Sequence, residues 1–237
     1  MRVLAIETAT PLASAAVVDE DRVLAESVLR APMFHLEWLL PAVEAMLGHL
    51  AMAPGAIQGV AVSSGPGGFT GLRIGIATAA AWATTRRVPV LGVSTLEALA
   101  RVAGVEGLVL PVLDAHRGEV AGALYRIASD GSADCLVAPL VVAPDRLMAE
   151  VAVYPGPVLL LGDGLPRCTA AMRAALGSRG RAGAPHLHPR AAAVGLLALP
   201  RLVRGDRIEP AALRPLYGRR AVAWPRQETL GGGGNPQ

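Results

Sequence analysis

The residues of this sequence that are best suited by type and spacing to bind a ligand or take part in a reaction lie in a glycine-rich run from Ser63 to Gly75. The run joins an apolar stretch to a helical pattern, which is a position where proteins often bind phosphate groups. A dinucleotide-binding fingerprint that started at Gly65 would need a further glycine where the chain has Thr70. A P-loop would need a lysine, and all 22 basic residues of the chain are arginines. The run therefore matches neither of these two phosphate-binding loops.

A second property of the run is the regular spacing of its small residues. Gly67, Gly71, Gly75 and Ala79 lie four positions apart, so on a helix they would form one ridge almost without side chains. Such a ridge allows a second helix to approach closely. Packing of the helix on its own sheet explains the spacing equally well, and the spacing alone does not choose between the two.

Two serines in the same run suggest a hydrolase as an alternative. The segment 61–65 approximates the G-x-S-x-G elbow of serine hydrolases, with alanine in place of the first glycine. Asp114 or Asp163, followed by His186 or His188, would complete a triad in the right chain order. A Gly-Pro pair separates the serines from the helix, however, whereas in an elbow the helix follows the serine at once. This arrangement disfavours the hydrolase.

Metal-binding and covalent chemistry find little support in the sequence. There is no H-E-x-x-H motif, and His186 with His188 supplies only two of the three or four ligands that zinc needs. Cys135 and Cys168 form no paired motif, and without lysine a Schiff base cannot form. We therefore predict no metal site and no disulfide, and the role of the two histidines stays open.

The first half of the chain predicts three strands followed by alternating helices and strands. Leucine, valine and methionine recur at helical spacing between residues 36 and 50, and Pro41 either kinks that helix or marks its start. Ser94 and Glu97 form a capping box that opens a helix. The predicted elements are strands over 3–8, 14–18, 22–28, 59–64 and 88–93, and helices over 36–50, 70–85 and 94–102.

The second half repeats this order of elements without repeating the residues. Its predicted strands cover 108–113, 119–127, 136–142 and 158–161, and its helices cover 145–151, 166–175 and 191–203, with a flexible loop over 177–183. Two βββαβα halves in tandem are the layout of the two-lobed actin, Hsp70 and sugar-kinase superfamily, which has a ribonuclease H-like α/β fold. We expect an N-terminal lobe over 1–104, which would bind the partner. A C-terminal lobe over 105–225 would follow, its last helix packing back on the first lobe, and then a disordered tail over 226–237.

Composition and charge limit the location and the partners. Of the 237 residues, 52% are hydrophobic and 17% charged, as in a globular protein. No apolar stretch reaches the roughly 18 residues of a membrane span, and the apolar start is too short for a signal peptide. We therefore predict a cytoplasmic protein. From Arg167 to Arg226 there are 12 arginines against two acidic residues. This basic region would suit phosphates or an acidic partner, or form an ordinary solvated surface.

The glycine-rich run also carries a specific family resemblance. The segment 64–75, with its Gly-Pro-Gly-Gly-Phe-Thr-Gly-Leu-Arg, closely resembles the signature of the TsaB (YeaZ) family. Further matching segments cover most of the chain and leave out only its tail. They are 6–10, His35 with 39–41, 89–99, 113–120, 162–164 and 215–217.

The resemblance implies the two-lobed fold and a role beside TsaD, the related subunit that transfers a threonylcarbamoyl group to the adenosine next to a tRNA anticodon. A third protein, the ATPase TsaE, would join the two, and tRNA would be met through the complex. The helices of the N-terminal lobe would contact TsaD or, when the protein is alone, a second copy. This makes the glycine ridge part of the expected interface. The expected partner-binding residues are Leu36, Leu39, Leu40, Val43, Phe69, Thr70, Gly71, Leu72, Arg73, Gly75 and Ala79.

Two departures from active relatives imply a non-catalytic subunit. TsaD binds its metal with a His-x-x-x-His pair, and the matching positions here are Thr95 and Leu99. In the first hairpin, where active superfamily members organise magnesium and phosphate, this chain has Glu7, Thr8 and Thr10. These residues would form at most a vestigial nucleotide loop, so we expect no cofactor beyond weak nucleotide binding at an interface. The alternative is a degenerate or weakly nucleotide-binding ATPase or peptidase-like protein of the same fold.

Overall fold

The structure is a computed structural model that describes residues 1–20, 22–30 and 35–216. The side chains of residues 35 and 36 are not described, so the predicted partner residue Leu36 cannot be placed beyond its position in a helix. The predicted tail over 226–237 and the last residues of the predicted second lobe also lie outside the described residues.

The first half of the chain forms a five-stranded mixed sheet. Strand order is β3-β2-β1-β4-β5; β1 pairs antiparallel with β2 and parallel with β4. Strands β1 and β4 are buried almost throughout, which matches their continuous apolar sequences. The elements are β1 (Arg2–Glu7), β2 (Leu12–Asp19), β3 (Arg22–Arg30), α1 (His35–His49), β4 (Gly59–Gly65), α2 (Phe69–Arg86), β5 (Val90–Ser94) and α3 (Thr95–Val102).

The second half forms an equivalent sheet in the order β10-β9-β6-β7-β8. Its central strand β6 pairs antiparallel with β7 and parallel with β9, as β1 does with β2 and β4. The predicted tandem repeat and the two-lobed fold are therefore confirmed. The elements are β6 (Gly107–Asp114), β7 (Val120–Ile127), β8 (Ala133–Val142), α4 (Pro144–Ala152), β9 (Val158–Leu161), α5 (Leu165–Leu176), β10 (Gly180–Ala182) and α6 (Ala191–Val203).

Helices cover both sheets and separate them. Helices α1 and α2 lie side by side on one face of the first sheet, and α6 covers the opposite face. Helix α3 lies between the two sheets and contacts strands of both, while α4 and α5 pack on the outer face of the second sheet. None of the helices in the described part of the chain combines the length and apolar character needed to cross a membrane.

Helix α6 comes last in sequence yet packs on the first sheet. A side chain at Gly195 would lie 2.8 Å from Val18, so only glycine allows the helix to approach the sheet this closely. Two contacts fix the start of the helix: Glu26 on β3 accepts hydrogen bonds from Arg190 at 2.7 Å and from the Ala192 N–H at 3.0 Å. A carboxylate at a helix N-terminus is stabilised by the helix dipole.

Two local predictions need correction or refinement. The segment 177–183, predicted as a flexible loop, is a 3-10 turn over Gly177–Arg179 followed by strand β10, which pairs parallel with β9. Three residues are too few to show a strand periodicity, and Gly180 packs so closely on Met172 that a Cβ would lie 2.6 Å from it. Helix α1 begins at His35 and continues through Pro41, which lies on its exposed side.

Candidate functional site

The turn between β1 and β2 is built on a buried carboxyl group. Glu7 is fully buried; its Oε1 accepts a hydrogen bond from the Ala9 N–H at 2.6 Å, and its Oε2 is hydrogen-bonded to the Ser63 hydroxyl on β4. Burial raises the pKa of Glu7 from 4.5 to about 8, against a smaller lowering by the Ala9 N–H. The carboxyl is therefore largely protonated at neutral pH.

The same turn packs against the start of α2 and is hydrogen-bonded to it. The carbonyl oxygen of Ala9 accepts the Gly68 N–H at 2.7 Å, and the Thr8 hydroxyl donates to the Gly71 carbonyl at 2.8 Å. Thr10 hydrogen-bonds the Leu12 carbonyl at 3.1 Å. In the residues predicted as a vestigial nucleotide loop, the side chains of Glu7, Thr8 and Thr10 thus all bind groups of their own chain.

The glycines of the ridge, one before α2 and two within it, explain how the turn and the helix can be so close. A Cβ at Gly67 would lie 2.5 Å from the Ala9 carbonyl oxygen, and one at Gly71 would overlap the Thr8 carbonyl oxygen. A Cβ at Gly75 would overlap the Thr8 hydroxyl and touch Ile6 and Val62 of the sheet at 3.4 Å. The ridge therefore faces inward and receives the chain's own turn.

This geometry corrects the prediction that the glycine ridge receives a foreign helix. Four of the other expected partner-binding residues also belong to the protein's own core. Leu39, Val43, Leu72 and Ala79 are 0–2% exposed and pack on the first sheet or beneath α2. Apolar spacing identified the helices correctly but could not distinguish their buried side from their outer side.

A different surface of the same helices is available to a partner. Leu40 of α1 is 53% exposed and Phe69 of α2 is 54% exposed. The guanidinium of Arg73 lies 3.7 Å from the centroid of the Phe69 ring, a cation–π contact. Thr70 is exposed as well, as are Ala77 and Ala81 further along the helix. We call these exposed residues together the outer α1–α2 face: Leu40 of α1 and Phe69, Thr70, Arg73, Ala77 and Ala81 of α2.

The two serines of the proposed hydrolase elbow are engaged elsewhere. The Ser64 hydroxyl is buried and donates to the Val93 carbonyl at 3.1 Å, and Ser63 binds Glu7. Neither hydroxyl is hydrogen-bonded to a histidine within the described part of the chain, so the geometry opposes the hydrolase. Leu216 covers this corner, since its N–H donates to the Ser64 carbonyl at 2.7 Å.

The positions that match the metal-binding pair of TsaD lie in the interior. The Ser94 hydroxyl accepts the Glu97 N–H at 3.4 Å, as the predicted capping box requires, so α3 starts where expected. Thr95 and Leu99 are completely buried, and Leu99 packs in the cluster between α3 and the second sheet. The Thr95 hydroxyl has no hydrogen-bond partner among the described residues.

The acidic residues at the carboxyl edge of the second sheet stabilise a tight turn. The Asp114 carboxylate accepts hydrogen bonds from the His116 N–H at 2.8 Å and pairs with the Arg167 Nε at 2.9 Å. Partial burial acts to raise the pKa of Asp114, but these partners lower it overall. Asp163 accepts the Asp114 N–H at 2.9 Å. These contacts give Asp114 and Asp163 a structural role in the turn rather than the role of the acid in a hydrolase triad.

The two remaining candidate histidines differ in their surroundings. His186 is exposed, whereas the Nδ1 atom of His188 is buried and lacks a hydrogen-bond partner in the described structure. Burial lowers the pKa of His188, an effect that nearby Asp163 opposes. Over residues 1–20, 22–30 and 35–216, no three His, Cys, Asp or Glu side chains come together as metal ligands would.

Several arginines of the basic region bind groups of their own chain. Arg179 donates to the carbonyls of Ala152 and Tyr154 at the end of α4, at 3.2 and 2.7 Å. Arg167 and Arg190 form the ion pairs with Asp114 and Glu26. The net charge of the region thus overstates the positive charge available to nucleic acid.

Comparison with known proteins decides the family. The family model for TsaD, tRNA N6-adenosine threonylcarbamoyltransferase, matches residues 30–158. The tRNA threonylcarbamoyladenosine biosynthesis protein TsaB of Bacillus subtilis is 32% identical over 199 residues, which cover 83% of this chain and 86% of the relative. The chain belongs to the TsaB family.

Other members of the TsaB family agree in sequence and structure. TsaB of Escherichia coli is 38% identical over 134 residues, covering 55% of this chain and 58% of the relative. The crystal structure of YeaZ from Pseudomonas aeruginosa superposes with a TM-score of 0.77 at 29% identity. The superposition covers 91% of this chain and 99% of that one, so it extends over both lobes.

For this TsaB-family chain, sequence reasoning missed the contact between Glu7 and Ser63 and the segment that covers Ser64. The two partners of the first contact lie 56 residues apart, and no local pattern pairs them. A signal for the second was present in Gly65, whose φ of 121° suits glycine and whose Cβ would overlap the Leu216 carbonyl.

Proposed function

We propose that this chain takes part in the biosynthesis of threonylcarbamoyladenosine in tRNA as a subunit that does not itself carry out the transfer. A TsaD-like subunit would perform the chemistry, a TsaE-like ATPase would join the complex, and tRNA would be bound through the complex. Family membership supports the pathway. The observation that carries the non-catalytic role is that the loop and helix positions expected to hold phosphate or metal are filled by the chain's own contacts.

Two places support this role. In the first hairpin, the Thr8 hydroxyl and the Ala9 carbonyl are hydrogen-bonded to the backbone at the start of α2. The adjoining Glu7 is buried and uncharged at neutral pH. On α3, Thr95 and Leu99 are enclosed between the sheets, where a hydroxyl and an isobutyl group replace two imidazoles. A magnesium-bound phosphate would need an ionised carboxylate and open backbone N–H groups in the first of these places.

The surface that we propose for the partner is the outer α1–α2 face. It combines exposed apolar side chains with an arginine stacked on an aromatic ring, a composition that is typical of interface centres. In the absence of the catalytic subunit, we propose that the same face pairs with a second copy. A cytoplasmic location remains a prediction.

The test is reconstitution of the transfer from purified components. Threonylcarbamoyl-adenylate, tRNA, the TsaD-like subunit and the TsaE-like ATPase are combined with and without this protein, and modified adenosine is measured by mass spectrometry. We expect modification only in the full mixture and none with this protein alone. Modification by this protein alone would contradict the non-catalytic role, whereas ATP hydrolysis by it at a rate sufficient for turnover would favour the weak ATPase alternative.

Matched variants locate the surface. Leu40→Asp places a charge on the outer α1–α2 face, and Val153→Asp places one at an equally apolar position, 76% exposed, beyond α4 on the second lobe. We expect Leu40→Asp to abolish copurification with the catalytic subunit and Val153→Asp to retain it, with both variants folded by circular dichroism. Equal binding by the two variants would exclude this face.

A further inference from the structure

A short path of hydrogen bonds connects the interior of the first sheet to the outer α1–α2 face. Glu7 accepts a hydrogen bond from the Ala9 N–H at 2.6 Å, and the Ala9 carbonyl accepts one from the Gly68 N–H at 2.7 Å. The Thr8 hydroxyl donates to the Gly71 carbonyl at 2.8 Å. The first turn of α2 is therefore hydrogen-bonded to Thr8 and Ala9, and the buried Glu7 carboxyl fixes the position of these two residues.

Among the described residues that contact this carboxyl, none carries a compensating charge. Beside Glu7 lie Ser14 on β2 and Ser63 on β4, which are both neutral, and α2 presents glycines to the turn. Burial and the Ala9 N–H determine the pKa of Glu7, which lies at about 8. The Ser63 hydroxyl donates to Glu7 Oε2 and the Ala9 N–H donates to Oε1, so both carboxyl oxygens are hydrogen-bonded within the chain.

We propose that uncharged Glu7 is a positioning residue for the outer α1–α2 face, and that its ionisation releases the first turn of α2. This inference rests on the proposed function, in which that face binds the catalytic subunit. A carboxylate in an enclosed site without a counter-charge is unfavourable even with two hydrogen bonds, so on ionisation the turn moves to admit water. Because Thr8 is hydrogen-bonded to Gly71 and Ala9 to Gly68, movement of Thr8 and Ala9 displaces the turn of α2 that carries Phe69.

The first measurement needs no partner. The amide signals of Gly68 and Gly71 are followed by 1H–15N NMR between pH 6 and pH 10, a range chosen to span about two pH units on each side of the expected midpoint. In the wild-type protein both signals should shift with a midpoint near 8. In Glu7→Gln, an isosteric variant that cannot ionise, they should stay constant. Signals that do not titrate in the wild type, or that titrate equally in Glu7→Gln, would overturn the inference.

The second measurement relates the turn to binding. If only the uncharged form binds, the wild-type affinity for the catalytic subunit should fall about tenfold between pH 7 and pH 9, while that of Glu7→Gln changes little. Equal pH dependence in the two proteins would refute the positioning role and leave the proposed function intact. Titrating glycines without complex formation at any pH would support the positioning of α2 by Glu7 and refute the proposed function instead. Thermal unfolding of both proteins at pH 7 verifies that each is folded.

Discussion

The contact between α2 and the β1–β2 turn makes a strong prediction for a single methyl group. Gly71→Ala adds a Cβ that would overlap the Thr8 carbonyl oxygen, so helix and turn must separate by roughly 1 Å. Overpacking of this kind costs about 1–3 kcal/mol, and weakening of the hydrogen bond from Thr8 to Gly71 costs about 1 kcal/mol more. The higher helix propensity of alanine returns at most about 1 kcal/mol. We therefore expect the free energy of unfolding to fall by roughly 1–3 kcal/mol.

Gly48→Ala provides the matched control. Gly48 lies in α1, and a Cβ there would meet nothing within 4 Å. The same substitution should therefore leave the free energy of unfolding unchanged or raise it by up to about 1 kcal/mol. Urea unfolding followed by circular dichroism measures both variants. If Gly71→Ala proved as stable as Gly48→Ala, the ridge would not be enclosed, and its assignment to a foreign helix would have to be reconsidered.

Three further predictions follow from other contacts. Glu7→Gln should become more stable relative to the wild type as pH rises from 4.5 to about 8, because over this window the unfolded chain ionises Glu7 while the folded chain keeps it protonated. The difference should reach roughly 3–5 kcal/mol above that window, measured by urea unfolding at pH 5 and pH 9, and a constant difference would contradict the assignment. Glu26→Ala removes the partner of Arg190 at the start of α6 and should lower the free energy of unfolding by about 1–3 kcal/mol. A decrease below about 0.5 kcal/mol would show that the pair is merely a surface contact. Leu39→Ala should lower the unfolding free energy by about 2–5 kcal/mol and Leu40→Ala by less than about 0.5 kcal/mol, and similar losses would mean that the buried side of α1 is misassigned.

Much of the fold could be predicted from local sequence patterns. The capping box of Ser94 placed the start of α3 correctly, and the repeated order of strands and helices identified two equivalent sheets. These features depend on residues that are close together in the chain, so they can be read directly from it. Strand β10 was missed because three residues with a glycine at the start give no periodic signal.

The site was harder to predict because it depends on which side of a helix is buried. The spacing of Gly67, Gly71 and Gly75 indicated a close approach, and the structure contains one. The close approach could be made by a foreign helix or by the chain's own turn. Which of the two occurs depends on the path of residues 8 and 9, and the sequence of the helix does not encode that path. The same limit applies to Leu39 and Leu40, which are adjacent and equally apolar, although the first is 1% exposed and the second 53%.

The enclosed turn also limits how any partner can recognise this protein. At the carboxyl edge of the first sheet, the Gly68 N–H is bound by Ala9, the Gly71 carbonyl by Thr8, and the Ser64 carbonyl by Leu216. Of these groups, the Gly68 N–H is the one that could donate to an anion, as backbone N–H groups of a glycine-rich loop usually do, and it is already bonded to Ala9. In the proposed function, the partner binds the exposed side chains of α1 and α2 instead. Such a surface is specified by shape and by a few apolar contacts, and under the further inference above it depends on the position of the first turn of α2.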